Sequence, residues 1–172
     1  MHLLRIASLL AYASAGPCDI FEAAGTPCVA AHSTTRALYK AYAGPLYQVA
    51  RASDGEVADV PVVGAGGVAN SAAQDAFCGA TACVISRIYD QTPLGNHLDV
   101  APQHVGRNGT DMPVNATKDR LHVGGAPVYS AYFEPGLGYR NDATNGVPVG
   151  DEAQTIYMVT SGVHYNAKCC FD

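Results

Sequence analysis

Cys169 and Cys170 stand side by side near the end of the 172-residue chain, and adjacent thiols have one unusual option. Consecutive Cα atoms are about 3.8 Å apart, whereas an ordinary disulfide spans roughly 4.4–6.8 Å between Cα atoms. A bond between the two would close a strained small ring and present both sulfurs as a rigid apolar patch. Strain of that kind persists where surrounding structure enforces it, often at a ligand site. The spacing equally allows each cysteine to pair elsewhere, or both to stay free.

The carboxylates Asp75, Asp90, Asp99, Glu134, Asp151 and Glu152 are the candidates for glycoside hydrolysis. That chemistry needs two carboxyl groups facing each other, at roughly 5–5.5 Å in retaining and 6.5–9.5 Å in inverting enzymes. No pair stands out by spacing; Asp151 and Glu152 are neighbours and would point to opposite faces of a strand. The histidines beyond the N-terminal stretch, His32, His97, His104, His122 and His164, lack metal-ligand spacing. Gly64-Ala65-Gly66-Gly67 lacks the Gly-Lys-Ser/Thr that completes a phosphate cradle. There is no G-x-S-x-G elbow. A cysteine nucleophile needs a free thiolate, and every cysteine here has a candidate partner close in sequence. Neither metal nor cofactor is expected.

The N-terminus reads as a secretory leader over residues 1–15. Arg5 supplies the positive region, Ile6 to Ala13 an apolar run, and Ala13-Ser14-Ala15 a cleavage site before Gly16. The product is then secreted and extracellular, as one domain over residues 16–172. No later segment approaches the roughly 18 apolar residues of a membrane span. The formal charge is −5, and removing Arg5 makes it one unit more negative. Nucleic acid and anionic lipid are therefore not expected partners.

The cysteines Cys18, Cys28, Cys78, Cys83, Cys169 and Cys170 fall into three close pairs. An even number in an oxidising compartment implies disulfides, and local pairing is the simplest choice. Asn108-Gly109-Thr110 and Asn115-Ala116-Thr117 are N-glycosylation sequons in a polar stretch.

Elements follow from local pattern. Ser33-Thr34-Thr35 can cap a short helix over Arg36 to Lys40, stopped by Gly44-Pro45. Leu46 to Arg51 alternates as a strand, and Asp54-Gly55 is a turn signal. Ser71 to Phe77 reads as a short helix closed by Cys78. Cys83 to Tyr89, Val128 to Phe133 and Thr155 to Thr160 read as strands. With only 15% charged residues, 18 Gly, 10 Pro and no Trp, the chain is expected to be all-β, a sandwich or barrel with a few short helices.

Several stretches together resemble the catalytic domain of fungal α-L-arabinofuranosidase B, glycoside hydrolase family 54. They are Gly16-Pro17-Cys18-Asp19-Ile20-Phe21-Glu22, Thr26-Pro27-Cys28 through Tyr39, Gln74-Asp75-Ala76-Phe77-Cys78, and Ile88-Tyr89-Asp90-Gln91 with Gly95-Asn96-His97-Leu98. Gly138-Tyr139-Arg140-Asn141, Gly150-Asp151-Glu152-Ala153 and His164-Tyr165-Asn166 with Cys169-Cys170-Phe171-Asp172 complete the set. The resemblance implies a concanavalin-like β-sandwich of jelly-roll type. It implies disulfides Cys18–Cys28, Cys78–Cys83 and Cys169–Cys170, the last forming an apolar wall against the arabinofuranose ring. It also implies retaining hydrolysis of terminal α-L-arabinofuranosyl groups, with arabinose-containing plant cell-wall polysaccharides, arabinoxylan and arabinan, as substrates. The family's nucleophilic Glu and acid/base Asp lie downstream of the paired cysteines. The chain is thus expected to be a truncated, N-terminal portion of the sandwich, with no catalytic residue and no activity by itself. The alternative is a non-catalytic secreted carbohydrate-binding domain.

Overall fold

The computed structural model describes residues 15–102 and 110–164. Residues 1–14 of the expected leader, Asn108, Cys169 and Cys170 lie outside the described residues. The organising strand is β1, Pro45–Arg51, where Leu46, Tyr47 and Val49 are all fully buried. It pairs antiparallel with β2, Val57–Pro61, on one side and with β3, Cys83–Ile88, on the other. β4, Leu98–Val100, adds to β3, and β7, Tyr139–Arg140, adds to β4. The five-stranded order is therefore β2-β1-β3-β4-β7. β5, Asp119–Val123, and β6, Ala126–Ser130, form a separate hairpin. Their connection is Gly124-Gly125, both at positive φ (59° and 83°), as a tight primed hairpin turn requires.

The hairpin is held to the main sheet by apolar packing and by a helix. Val128 of β6 is buried in the same core as Leu46, Val49, Ile85 and Val114. α2, Ser71–Cys78, is capped by the Asn70 side chain, which accepts the Ala73 N–H at 3.1 Å. Gln74 on its inner face is buried and satisfied at both ends. Its Oε1 accepts from the Tyr47 hydroxyl at 2.5 Å, and its Nε2 donates to the Ala116 carbonyl at 2.8 Å. From the same face, toward the β6 hairpin strand, Ser71 donates to Pro127 O, and Asp75 accepts from the Tyr129 hydroxyl. A short first helix, α1, Pro17–Ala23, has Pro17 in its first turn, and Asp19 accepts the Gly16 N–H at 2.6 Å.

The described residues thus form mostly strands in antiparallel sheets with two short helices, an all-β arrangement consistent with a sandwich. Disulfides join Cys18 to Cys28 and Cys78 to Cys83. Two expected elements do not form. Arg36 to Lys40 is irregular because its backbone is engaged elsewhere. Arg36 bridges Val68, Ala37 N–H donates to Gly67 O, and the Gln91 amide takes the Leu38 N–H at 2.7 Å. Thr155 to Thr160 has strand-like residues but no strand, since pairing needs a neighbour. Ile156 and Val159 are 82% and 89% exposed.

Candidate functional site: a polar row and cleft

In-register pairing places one polar residue from each strand of the large sheet in a line. Asp59 faces Gln48, Gln48 faces Arg87, Arg87 faces Asp99, and Asp99 faces Arg140. A register shift on β3 makes the row possible. Ile85 and Ile88 both point into the core although they are three positions apart, so the strand carries one extra residue, Ser86. Its hydroxyl donates to Gln48 Oε1 at 2.9 Å, and the bulge leaves Arg87 on the outer face. Tyr89 extends the row by donating to Asp59 at 2.7 Å. Partial burial first, then that bond to Asp59, push its hydroxyl pKa up to about 12.

Where the row crosses β3, β4 and β7 it lines an open cleft of about 400 Å³ that includes Arg87, His97, Asp99, Arg140, Asn141 and Asp142. Arg87 clamps Asp99 through two bonds of 2.6 and 3.0 Å. Arg140 holds Asp142 at 2.5 and 3.1 Å. The guanidinium pKa of each is raised, chiefly by its carboxylate partner. His97 accepts the Asp90 N–H on Nδ1 at 3.0 Å, so its neutral ring carries the proton on Nε2, and its edge meets Tyr89 at 5.2 Å between centroids. The cleft therefore offers fixed donors and acceptors suited to a polyhydroxylated ligand.

Both carboxylates of the cleft are engaged by arginines. A glycosidase acid needs a dry environment that keeps it protonated near neutrality. Asp99 and Asp142 are 55% and 60% exposed at the side chain, and each is ion-paired to an arginine. The other candidates are also committed: Asp75 to Tyr129, Glu134 to Lys118, and Glu152 to the Val149 N–H. Asp151 is exposed in a turn.

Asp90 is the most engaged carboxylate. It is buried just behind the cleft, accepting the N–H groups of Ala31, Thr92 and Asn96 at 2.8–2.9 Å and the Thr92 hydroxyl at 2.6 Å. Burial raises its pKa, but these hydrogen bonds outweigh burial and hold it below the usual value. Asn96 carries the knot outward, donating to Val29 O and Asn145 O and accepting the Asn145 N–H. His32 donates Nε2–H to Asn96 O at 2.6 Å, and burial lowers its pKa.

Of the remaining histidines, His122 is exposed on β5, and His164 stacks on Tyr132 at 3.9 Å; His104 lies outside the described residues. No three His, Cys, Asp or Glu side chains converge to hold a metal ion among the described residues. Asn115 is described and exposed. The row itself is invisible to motif reading, since it joins residues from position 48 to position 140. The available signal was one polar residue on the outer face of each strand.

The chain is similar in sequence and fold to known proteins. Residues 17–172 match the family model described as alpha-L-arabinofuranosidase B, catalytic. The probable alpha-L-arabinofuranosidase B of Aspergillus fumigatus is 53% identical over 162 residues, covering 92% of this chain and 32% of the relative. The alpha-L-arabinofuranosidase B of Aspergillus oryzae is 49% identical over the whole chain and 34% of its own length. The chain spans about a third of the length of these curated relatives. A GH54 α-L-arabinofuranosidase soaked with a cyclic sulfate inhibitor superimposes with a TM-score of 0.78 at 46% identity, covering 80% of this chain and 29% of that one. An arabinofuranosidase complexed with arabinofuranosyl-alpha-1,2-xylobiose gives 0.76 at the same identity and coverage.

Proposed function

The chain belongs to the α-L-arabinofuranosidase B catalytic family, glycoside hydrolase family 54, and on that premise we propose that the protein it forms part of is secreted. Its reaction is removal of terminal α-L-arabinofuranosyl groups from arabinose-containing plant polysaccharides, with release of L-arabinose. The observation that carries this reading is the family match along residues 17–172, at about half identity to enzymes bearing that name. The similar arabinofuranosidase complexed with arabinofuranosyl-alpha-1,2-xylobiose supports the substrate class.

In this reading the described residues contribute scaffold and surface. Every carboxylate the sequence offered as a candidate, apart from exposed Asp151, is held by a hydroxyl, an ammonium, a guanidinium or backbone N–H groups. The acid and nucleophile are supplied by other residues of the whole protein. Cys169 and Cys170 form the apolar wall of the sugar pocket.

The test has two arms, both on an aryl α-L-arabinofuranoside. The full product of the gene is expected to release arabinose, and the 172-residue chain, verified by intact mass, none. No release by the full product sinks the arabinofuranosidase reading. Release by the 172-residue chain means that acid and nucleophile lie within it. A second reading, a non-catalytic sugar-binding domain, draws on the open polar cleft. It requires binding heat with arabino-oligosaccharides in calorimetry that is lost in Arg140→Ala.

A further inference from the structure

Two sequons occur in the chain, and Asn115 is the one whose surroundings are described. Val114 and Ala116 on either side of it are fully buried. Their backbone groups are pinned to β3, with Ile85 N–H donating to Val114 O at 3.0 Å and Ala116 N–H to Cys83 O at 2.9 Å. Asn115 sits between them in a bridge opposite Val84. In such an extended segment successive side chains alternate faces, so the two buried neighbours force Asn115 outward, and it is exposed.

Its amide is also oriented. The Thr117 N–H donates to Asn115 Oδ1 at 2.9 Å, and the Thr117 hydroxyl donates to the same oxygen at 3.1 Å. Because the backbone N–H can only donate, the side-chain atom that receives it must be the oxygen. Nδ2 is thereby turned away from the chain and donates to no described residue. An exposed asparagine with its carbonyl held by the residue two positions on, and its nitrogen free, is what a bulky solvated modification needs.

We infer that Asn115 is an N-glycosylation site of this protein, taking an oligosaccharide from a lipid-diphosphate donor. Nδ2 attacks the anomeric carbon, the new N–C bond forms, and the C–O bond to the diphosphate breaks. The diphosphate leaves with the electron pair, and the amide gives up one proton to base. Thr117 acts by holding the amide oxygen, so serine can replace it and alanine cannot. The finished glycan stands in solvent on the outer side of the segment that pairs with β3, with no buried group to displace. This inference goes beyond arabinofuranoside hydrolysis and shares with it only the proposed entry into the secretory route.

The experiment expresses the full chain, with its own leader, in a secreting yeast. Product from cells and medium is analysed by intact mass and peptide mapping, before and after an amidase that removes Asn-linked glycans. Most wild-type molecules are expected to carry sugar at position 115 and to show Asp there after amidase treatment. Asn115→Gln and Thr117→Ala should each lose one glycan's mass, Thr117→Ser should keep it, and Asn108→Gln should leave position 115 modified. Unmodified Asn115 in the wild-type peptide map overturns the inference without any variant having to fold. The N-terminus separates the causes of such a failure: a retained Met1 traces it to the leader, and a Gly16 start traces it to the site itself.

Discussion

The knot around Asp90 and the row through Arg87, Asp99 and Arg140 lie next to each other and are made of the same kinds of group, yet they differ in what they can tolerate. The knot is out of water, so each polar atom depends on its protein partner. The row is in water, so each charge has solvent as an alternative partner. One carboxylate therefore organises three stretches of backbone, at Ala31, Thr92 and Asn96, while the other only tethers one surface arginine. Polarity buried beside the cleft fixes the shape of the site; polarity exposed within it stays available to a ligand.

The sharpest way to break this contrast is to replace Asp90. Asp90→Ala strands the donors of Ala31, Thr92 and Asn96, and hydrogen bonds to a buried charge are worth roughly 1.5–3 kcal/mol each. A loss of about 3 kcal/mol or more is expected in urea unfolding. A loss no larger than that of a surface variant would show that the knot is not structural.

His32 gives a smaller, pH-dependent effect. Its folded pKa is depressed below 6.5, chiefly by burial, so below that pH the unfolded state takes up the proton more readily than the folded state. Its contribution is complete above about pH 6.5 and is lost as pH falls from there through the folded pKa. Asp90 is also depressed, but from 3.8, so its contribution disappears only at more acidic pH. Denaturant midpoints should therefore begin to fall below about pH 6.5, and His32→Gln should remove that part of the slope. A midpoint that stays flat between pH 6.5 and 5 contradicts the burial argument.

The smallest effect belongs to the row. Arg87→Gln with Asp99→Asn in a double-mutant cycle should give a coupling of about 0.2–1 kcal/mol, shrinking at about 1 M salt where screening reaches a few Å. A coupling well above this range would mean that the pair is less hydrated than its exposure indicates.

Legibility in the sequence followed how local each signal was. β1, β3 and α2 were readable because alternation, β-branched content and a closing cysteine lie within each segment. α1 went unread because its cues, Pro17 and Asp19, occupy only seven residues with no apolar period. Arg36 to Lys40 has good local helix signals, but Gln91, more than fifty residues on, takes its backbone instead. Thr155 to Thr160 has strand composition, and composition cannot supply a pairing partner. At the site, Asp90, Asn96 and His97 were noticed as parts of motifs. Their actual work, a buried acceptor, a bridge and an oriented ring, depends on contacts that no spacing encodes.

By itself the sequence determined the family, the β-rich character and the short-range pairs Cys18–Cys28 and Cys78–Cys83, because each is written in residues close together or in motifs that recur in order. Only the tertiary structure decided which carboxylates are spent on scaffolding, and that five distant polar residues share one line. Those outcomes depend on strand register and on what burial removes from water, and both are set by residues far apart in the chain.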